Sequence, residues 1–112
     1  MEPITLRTDP DKLKRVARLM KTVSHPTRLV IIDLLLERGP SNVTEIYETV
    51  GISQSSASQH LKALEDIEVL RSVREGKSIF YEVSNTQIAN LLHAVNECTT
   101  CWPSYRNTSL FY

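Results

Sequence analysis

Several things are scarce in these 112 residues, and each scarcity excludes a class of protein. There are 2 cysteines, spaced to close only a tiny loop and with no secretion signal ahead of them, so a structural disulfide is their weakest reading. With 3 glycines and 5 prolines, collagen-like and low-complexity chains are excluded too. Long apolar runs are missing: the richest stretch, residues 29–36, is cut by Asp33 and falls far short of the roughly 20 residues a bilayer requires. The N-terminal run Met1-Glu2-Pro3-Ile4-Thr5-Leu6 has no basic segment followed by an apolar one, so secretion is not signalled and a cytoplasmic location is expected. Finally, there is no excess of either charge, with 13 basic residues against 13 acidic ones.

What is present suits one globular domain over residues 1–112, 41% hydrophobic and 23% charged. The balanced charge is sorted along the chain. Residues 1–28 carry seven basic and three acidic side chains (+4), residues 29–52 one and four (−3), and residues 53–112 five and six (−1). Neutrality of the whole therefore does not exclude a nucleic-acid partner. It predicts weak non-specific affinity and reliance on placed contacts.

Helix signals dominate the first half. Asp9-Pro10 reads as a cap followed by proline at the first helical position, and Leu13, Val16, Ala17 and Met20 follow at helical spacing. Ser24-His25-Pro26 repeats the start signal. Leu29, Ile32, Leu35 and Leu36 then line one face, while Val30, Ile31 and Leu34 make that helix apolar nearly all round, as a central buried helix would be. Asn42-Val43-Thr44-Glu45 has the form of a capping box ahead of Val43, Ile46 and Val50. Gly51 ends that short helix, and Ser53 caps another whose Ala57, Leu61 and Leu64 fall on one side. Two short helices across a tight glycine-containing turn make a helix-turn-helix.

From Val69 the period changes to two. Val69, Arg71 and Val73 alternate with Leu70, Ser72 and Arg74, and after Glu75-Gly76 the run from Ile79 to Val83 is rich in strand formers, so a β-hairpin is expected. Asn85 caps a last helix carrying Ile88, Leu91, Leu92 and Val95. The order predicts a mainly α fold with a small β-hairpin wing: a winged helix-turn-helix of five to six helices.

Between residues 53 and 62 the side chains not assigned to the core are Gln54, Ser55, Ser56, Ser58, Gln59, His60 and Lys62, with no acid among them. Short serines allow close approach to a major groove, and hydroxyls and backbone N–H groups at a helix start suit phosphate oxygens. Glutamine is matched to the N6/N7 edge of adenine. At the wing, Arg74 and Lys77 reach toward flanking phosphates or a minor groove. His60 has two open readings, a DNA contact or a polar residue packed against the turn; His25 reads as a capping or packing residue. The reading from another class is a winged-helix protein–protein interaction module without DNA binding. No nucleophile–base pair, phosphate-cradling glycine loop or carboxylate pair appears in a recognisable setting, so an enzyme is not expected.

The strings His25-Pro26-Thr27-Arg28, Gly51-Ile52-Ser53-Gln54-Ser55-Ser56-Ala57-Ser58-Gln59-His60-Leu61 and Arg74-Glu75-Gly76-Lys77 with Phe80-Tyr81 resemble the arsenic-repressor-like (ArsR/SmtB) family of transcription regulators. The resemblance covers residues 10–98, leaving 99–112 as a C-terminal tail. One departure is Glu68, where many relatives have glycine before the wing.

The resemblance implies a homodimer in which first and last helices pair across a two-fold axis, drawing on Leu13, Val16, Met20, Leu91, Leu92 and Val95. The alternative is that these residues fill a monomer core. Two recognition helices one helical turn apart, about 34–36 Å, would read an inverted-repeat double-stranded operator. The resemblance also implies a repressor released by an effector. The family's thiolate motif before the recognition helix maps to Asn42 and Thr44, so that site is absent here. A second family site, at the ends of the last helix, maps near Asn85, Gln87, Cys98 and Cys101. Of these, Cys98 and Cys101 could hold a thiolate-bound metal or metalloid ion, or act as a redox or persulfide sensor; His93, five residues earlier, points elsewhere on an ideal helix. A thioredoxin-type role for the C-x-x-C pair fails because no βαβ pattern surrounds it.

Overall fold

The computed structural model describes residues 8–100, apart from the side chains at 95 and 98–100. Among the described residues, five helices and three strands follow in the order α1 (Pro10–Val23), α2 (Pro26–Arg38), β1 (Ser41–Asn42), α3 (Val43–Val50), α4 (Gln54–Asp66), β2 (Leu70–Glu75), β3 (Ser78–Val83) and α5 (Thr86–Thr100). The strands form one antiparallel sheet, β1-β3-β2.

Helix starts follow the expected chemistry. Asp9 caps α1 with Pro10 in the first turn, and Ser53 caps α4 by accepting from the Ser56 amide at 3.1 Å. The cap at α3 forms as expected, with Asn42 Oδ1 accepting from the Glu45 amide at 2.8 Å, but the return bond to Glu45 Oε1 comes from the Asn42 side-chain Nδ2 at 3.2 Å instead of from its backbone amide. Asn85 accepts from the Gln87 amide at the start of α5. At α2 the cap is His25, in line with its place just before Pro26; its Nδ1 accepts from the Thr27 amide at 3.1 Å. Gly51 ends α3 at φ 81°, a left-handed conformation open to glycine, and this lets α4 leave at once in a new direction.

Strands β2 and β3 pair from Leu70↔Val83 to Glu75↔Ser78, so the hairpin loop is Gly76-Lys77 rather than Glu75-Gly76. Gly76 takes φ 62° at the first loop position, the place where a two-residue hairpin most needs glycine. β1 was not expected. Its two residues pair with Phe80 and Tyr81 and tie the start of α3 to the wing. A strand this short has no period to detect, and Asn42 is legible only as a cap.

The core joins every helix to the hairpin's base: Val23, Ile31, Ile32, Leu35, Ile46, Leu61, Leu64, Val69, Leu70 and Ile88 are buried. Ala57 is buried with them on α4. Truncating one such leucine to alanine typically costs about 2–5 kcal/mol.

One expectation about apolar faces needs correction. Leu36, read as part of the inward face of α2, is exposed; Ile31 takes that inward position. On α1 the residue that enters the core is Val23, with Leu19 packed beside it, whereas Leu13, Val16 and Met20 are 44%, 42% and 50% exposed. Both groups lie on the same side of an amphipathic helix, but only its C-terminal part reaches the rest of the chain.

Candidate nucleic-acid interface

The exposed side of α4 follows from its buried side. Ala57, Leu61 and Leu64 point inward at i, i+4 and i+7 and are fully covered. The opposite side therefore carries Ser55, Ser58, Gln59 and Lys62, all exposed, with Gln54 exposed on the flank. Ser56 is half-buried, and its amide is held by the cap. Ser53 Oγ and Ser55 Oγ lie 3.3 Å apart, so the helix start is lined with hydroxyls. Asp66 is the first acid on this side, at the far end of the helix. The N-terminal two-thirds of the stripe thus offers hydroxyl, amide and ammonium groups, and the positive end of the helix dipole adds to its attraction for phosphate.

The wing presents Arg74, near the end of β2, and Lys77, in the turn itself, both exposed. Its other arginine, Arg71, is paired with Glu82 on the neighbouring strand at 2.5 Å and is committed to the sheet. Val73 and Ile79 are exposed apolar residues near the wing tip.

His60 is set apart from the other candidates. It stands three residues after Ala57, on the inward flank of α4, and its ring is half-buried. Its Nδ1 accepts from Arg28 Nε at 3.1 Å, and the ring lies 4.7 Å from that of His25, tilted by 54°. The polar-packing reading therefore describes its position, with the partner being α2 rather than the turn. Burial, helped by the adjacent His25 and Arg28, holds its pKa below the usual 6.5. Arg28 is the residue that reading from sequence left without a role. The signal that could have found it is His60's place on the inward flank, where a polar ring demands a partner.

Of the proposed interface residues, Leu13, Val16 and Met20 form an exposed apolar stripe on α1. Leu91 and Leu92 are half-buried against the chain's own core, and the side chain of Val95 lies outside the described residues. So does the side chain of Cys98, whose backbone belongs to the last turn of α5, as do Cys101 and the whole tail. Among the described residues no helix is long and apolar enough to cross a membrane, and no group of three His, Cys, Asp or Glu side chains is placed to hold a metal ion.

A helix-turn-helix with a polar, acid-poor second helix and an adjoining basic-tipped hairpin defines a winged helix-turn-helix protein. Comparisons with known proteins narrow this. A helix-turn-helix domain family model matches residues 23–73. The chain is 36% identical over 94 residues to the biofilm growth-associated repressor of Xylella fastidiosa, covering 83% of this chain and 82% of that one. The crystal structure of the transcriptional repressor PagR of Bacillus anthracis superposes with a TM-score of 0.72 at 32% identity, over 78% of this chain and 99% of that one. A homodimeric winged helix-turn-helix DNA-binding domain from Mycobacterium bovis, described as a possible ArsR-family regulator, gives a TM-score of 0.75 at 26% identity, over 94% and 99%. The chain belongs to the arsenic-repressor-like (ArsR/SmtB) family of winged helix-turn-helix transcriptional regulators. It is a DNA-binding regulator and, like the repressors it matches, not an enzyme.

Proposed function

We propose that the chain acts in the cytoplasm as a homodimeric repressor that reads an inverted-repeat operator and leaves it when an effector binds. Direct reading is assigned to Gln54, Ser55, Ser56, Ser58, Gln59 and Lys62 on α4, with Arg74 and Lys77 of the wing on flanking phosphates. The carrying observation is the stripe of exposed serine and glutamine side chains on α4, free of acid until Asp66. Dimerisation is assigned to the α1 stripe of Leu13, Val16 and Met20, extended by Leu91, Leu92 and Val95 of α5. A chain that left three large apolar side chains of one stripe in water would carry an aggregation liability, and a second copy removes it.

Release is assigned to the thiols of Cys98 and Cys101, through a soft metal or metalloid ion or through oxidation by a peroxide to the disulfide. Two thiolates per chain leave a tetrahedral site incomplete, so a bound ion would draw further ligands from the partner copy or from outside. The support here is the spacing of the two cysteines alone.

Selection of binding duplexes from a random pool, followed by titration of the selected duplex against the reduced protein, tests the reading. The expected result is an imperfect inverted repeat whose half-sites are about one helical turn apart, bound by two chains. A selected site with no repeat, bound by one chain, would overturn the dimer. Zinc, cadmium, arsenite and peroxide are then added in turn to the complex. If Cys98→Ser/Cys101→Ser releases DNA as the parent does under each of them, the thiols are not the sensor.

A further inference from the structure

The residues joining the α1–α2 corner to the middle of α4 form a polar cluster that DNA contact does not account for. Arg28, in the first turn of α2, uses two separate donors. Its Nη1 donates to the Thr22 carbonyl in the last turn of α1 at 2.9 Å, and its Nε donates to His60 Nδ1 at 3.1 Å. The first bond seats a cation on helix C-terminal carbonyls, where the dipole favours it. The second reaches 32 residues along the sequence, from α2 to α4. Both bonds are partly buried, which strengthens them relative to exposed ones.

We infer that Arg28 and His60 are positioning residues for DNA reading: Arg28, anchored at the α1–α2 corner, fixes the rotation of α4 through the Nδ1 lone pair of a neutral His60. The inference rests on the operator-binding reading of α4, which it deepens by naming what holds that helix in register. Geometry supplies the reason. A ring that accepts at Nδ1 carries its proton on Nε2, so the bond selects one neutral tautomer. Gln59, the neighbouring residue, projects about 100° round the helix on the exposed stripe, and a rotation that releases His60 swings Gln59 by the same angle.

A proton on Nδ1 would replace the acceptor with a second donor facing Arg28 Nε. It would also place a positive ring beside the guanidinium and 4.7 Å from His25. Among the described residues, the charged or titratable groups acting on His60 are His25, the cap of α2, and Arg28, in its first turn; α1 contributes the Thr22 carbonyl that holds Arg28, and no carboxylate is among the causes of the shift. Glu65, the α4 acid nearest the sheet, acts on Tyr81 instead. The folded pKa of His60 is lowered from 6.5, so the clamp is complete above that pH and is lost progressively as pH falls below it. This sign is opposite to that of an ordinary DNA-facing histidine, whose protonation adds attraction to phosphate.

Fluorescence anisotropy with the selected duplex, at constant ionic strength, decides the matter. Between about pH 7.5 and about pH 5.5 the parent protein should lose operator affinity, by less than the roughly tenfold that an unshifted histidine would give, because the His60 pKa is lowered. His60→Asn keeps an acceptor close to the Nδ1 position and does not titrate, so it should bind like the parent at the higher pH and stay flat at the lower one. His25→Asn keeps a good cap and leaves His60 to titrate, so it should still lose affinity on acidification, from a somewhat higher pH because a group that lowers the His60 pKa is gone. Identical pH profiles for the parent and His60→Asn, or parent affinity that rises on acidification, would overturn the inference. So would an imidazole nitrogen spectrum of the parent with the proton on Nδ1 at about pH 7.5, a measurement that needs no variant. Failure of the parent to bind any duplex at that pH would instead sink the operator reading.

Discussion

Helices α1 and α4 each leave a face uncovered by their own chain, and the two faces differ in kind. That of α4 carries Ser55, Ser58, Gln59 and Lys62; that of α1 carries Leu13, Val16 and Met20. A polar face is content in water, so its exposure alone assigns it no partner, and the case for DNA rests on composition and family. An apolar stripe is not content in water. Its exposure indicates that the chain is unfinished, although it does not say what completes it. The first face argues from chemistry and the second from thermodynamics, and the two can be tested separately.

The largest effect should come from the apolar face. Val16→Asp/Met20→Asp leaves the core untouched, because both positions are exposed and Val23 supplies the α1 core contact. The expected outcome is a folded monomer by sedimentation, with thermal unfolding still cooperative and operator affinity down about 100-fold or more, since linked half-sites gain that much from avidity. A folded dimer with parental affinity would move the interface away from α1.

Next comes the polar face. Gln59→Ala should cost about 1–3 kcal/mol of operator discrimination, and Ser56→Ala added to it somewhat more, with dimerisation unchanged. Unaltered affinity of the double variant would sink the assignment of α4 to base reading. The wing should contribute less, and uniformly across sequences. Arg74→Ala and Lys77→Ala should each lower the slope of log affinity against log salt by about 0.9 per phosphate contact removed. A parental slope would show that these exposed cations do not touch DNA.

How much of this was legible beforehand depends on the kind of order involved. Periodic order was legible: Ala57, Leu61 and Leu64 announce the inward side of α4, and thereby its outward side. Caps were legible because they are local, as the reciprocal bonds of Asn42 and Glu45 illustrate. Periodicity could not tell which copy of the chain covers the apolar stripe of α1, because a helix facing a partner and one facing its own core share the same pattern. Nor could it find β1, which is too short to have a period, or the bond between Arg28 and His60, which is neither local nor periodic. Those contacts are set by how helices cross, and crossing is decided by packing.

The smallest expected effect concerns the end of α4, where stability and reading can be separated. Glu68 sits at φ 62°, the only non-glycine residue among those described with positive φ. Its conformation is imposed by a complete left-handed helix stop: the Glu68 amide donates to the Glu65 carbonyl at 2.9 Å and the Val69 amide to the Leu64 carbonyl at 3.0 Å. Leu64 and Val69, both fully buried, make the apolar contact that accompanies such a stop, and Ser84 Oγ donates to the Glu68 carbonyl at 2.7 Å. The backbone bonds hold the residue there against a steric cost of about 1–2 kcal/mol for a side chain in the left-handed region. Glu68→Gly removes that cost, while the greater freedom of glycine in the unfolded chain returns about 0.5–1 kcal/mol of it. The net expectation is a gain of up to about 1 kcal/mol, or a melting point higher by a few degrees. Operator affinity should not change, because position 68 lies beyond the last turn of α4 and its side chain is no part of the reading stripe. A lower melting point would mean that the Glu68 side chain contributes more than its backbone conformation costs. A changed affinity at unchanged stability would mean that the stop after α4, and not only its outward stripe, takes part in reading DNA.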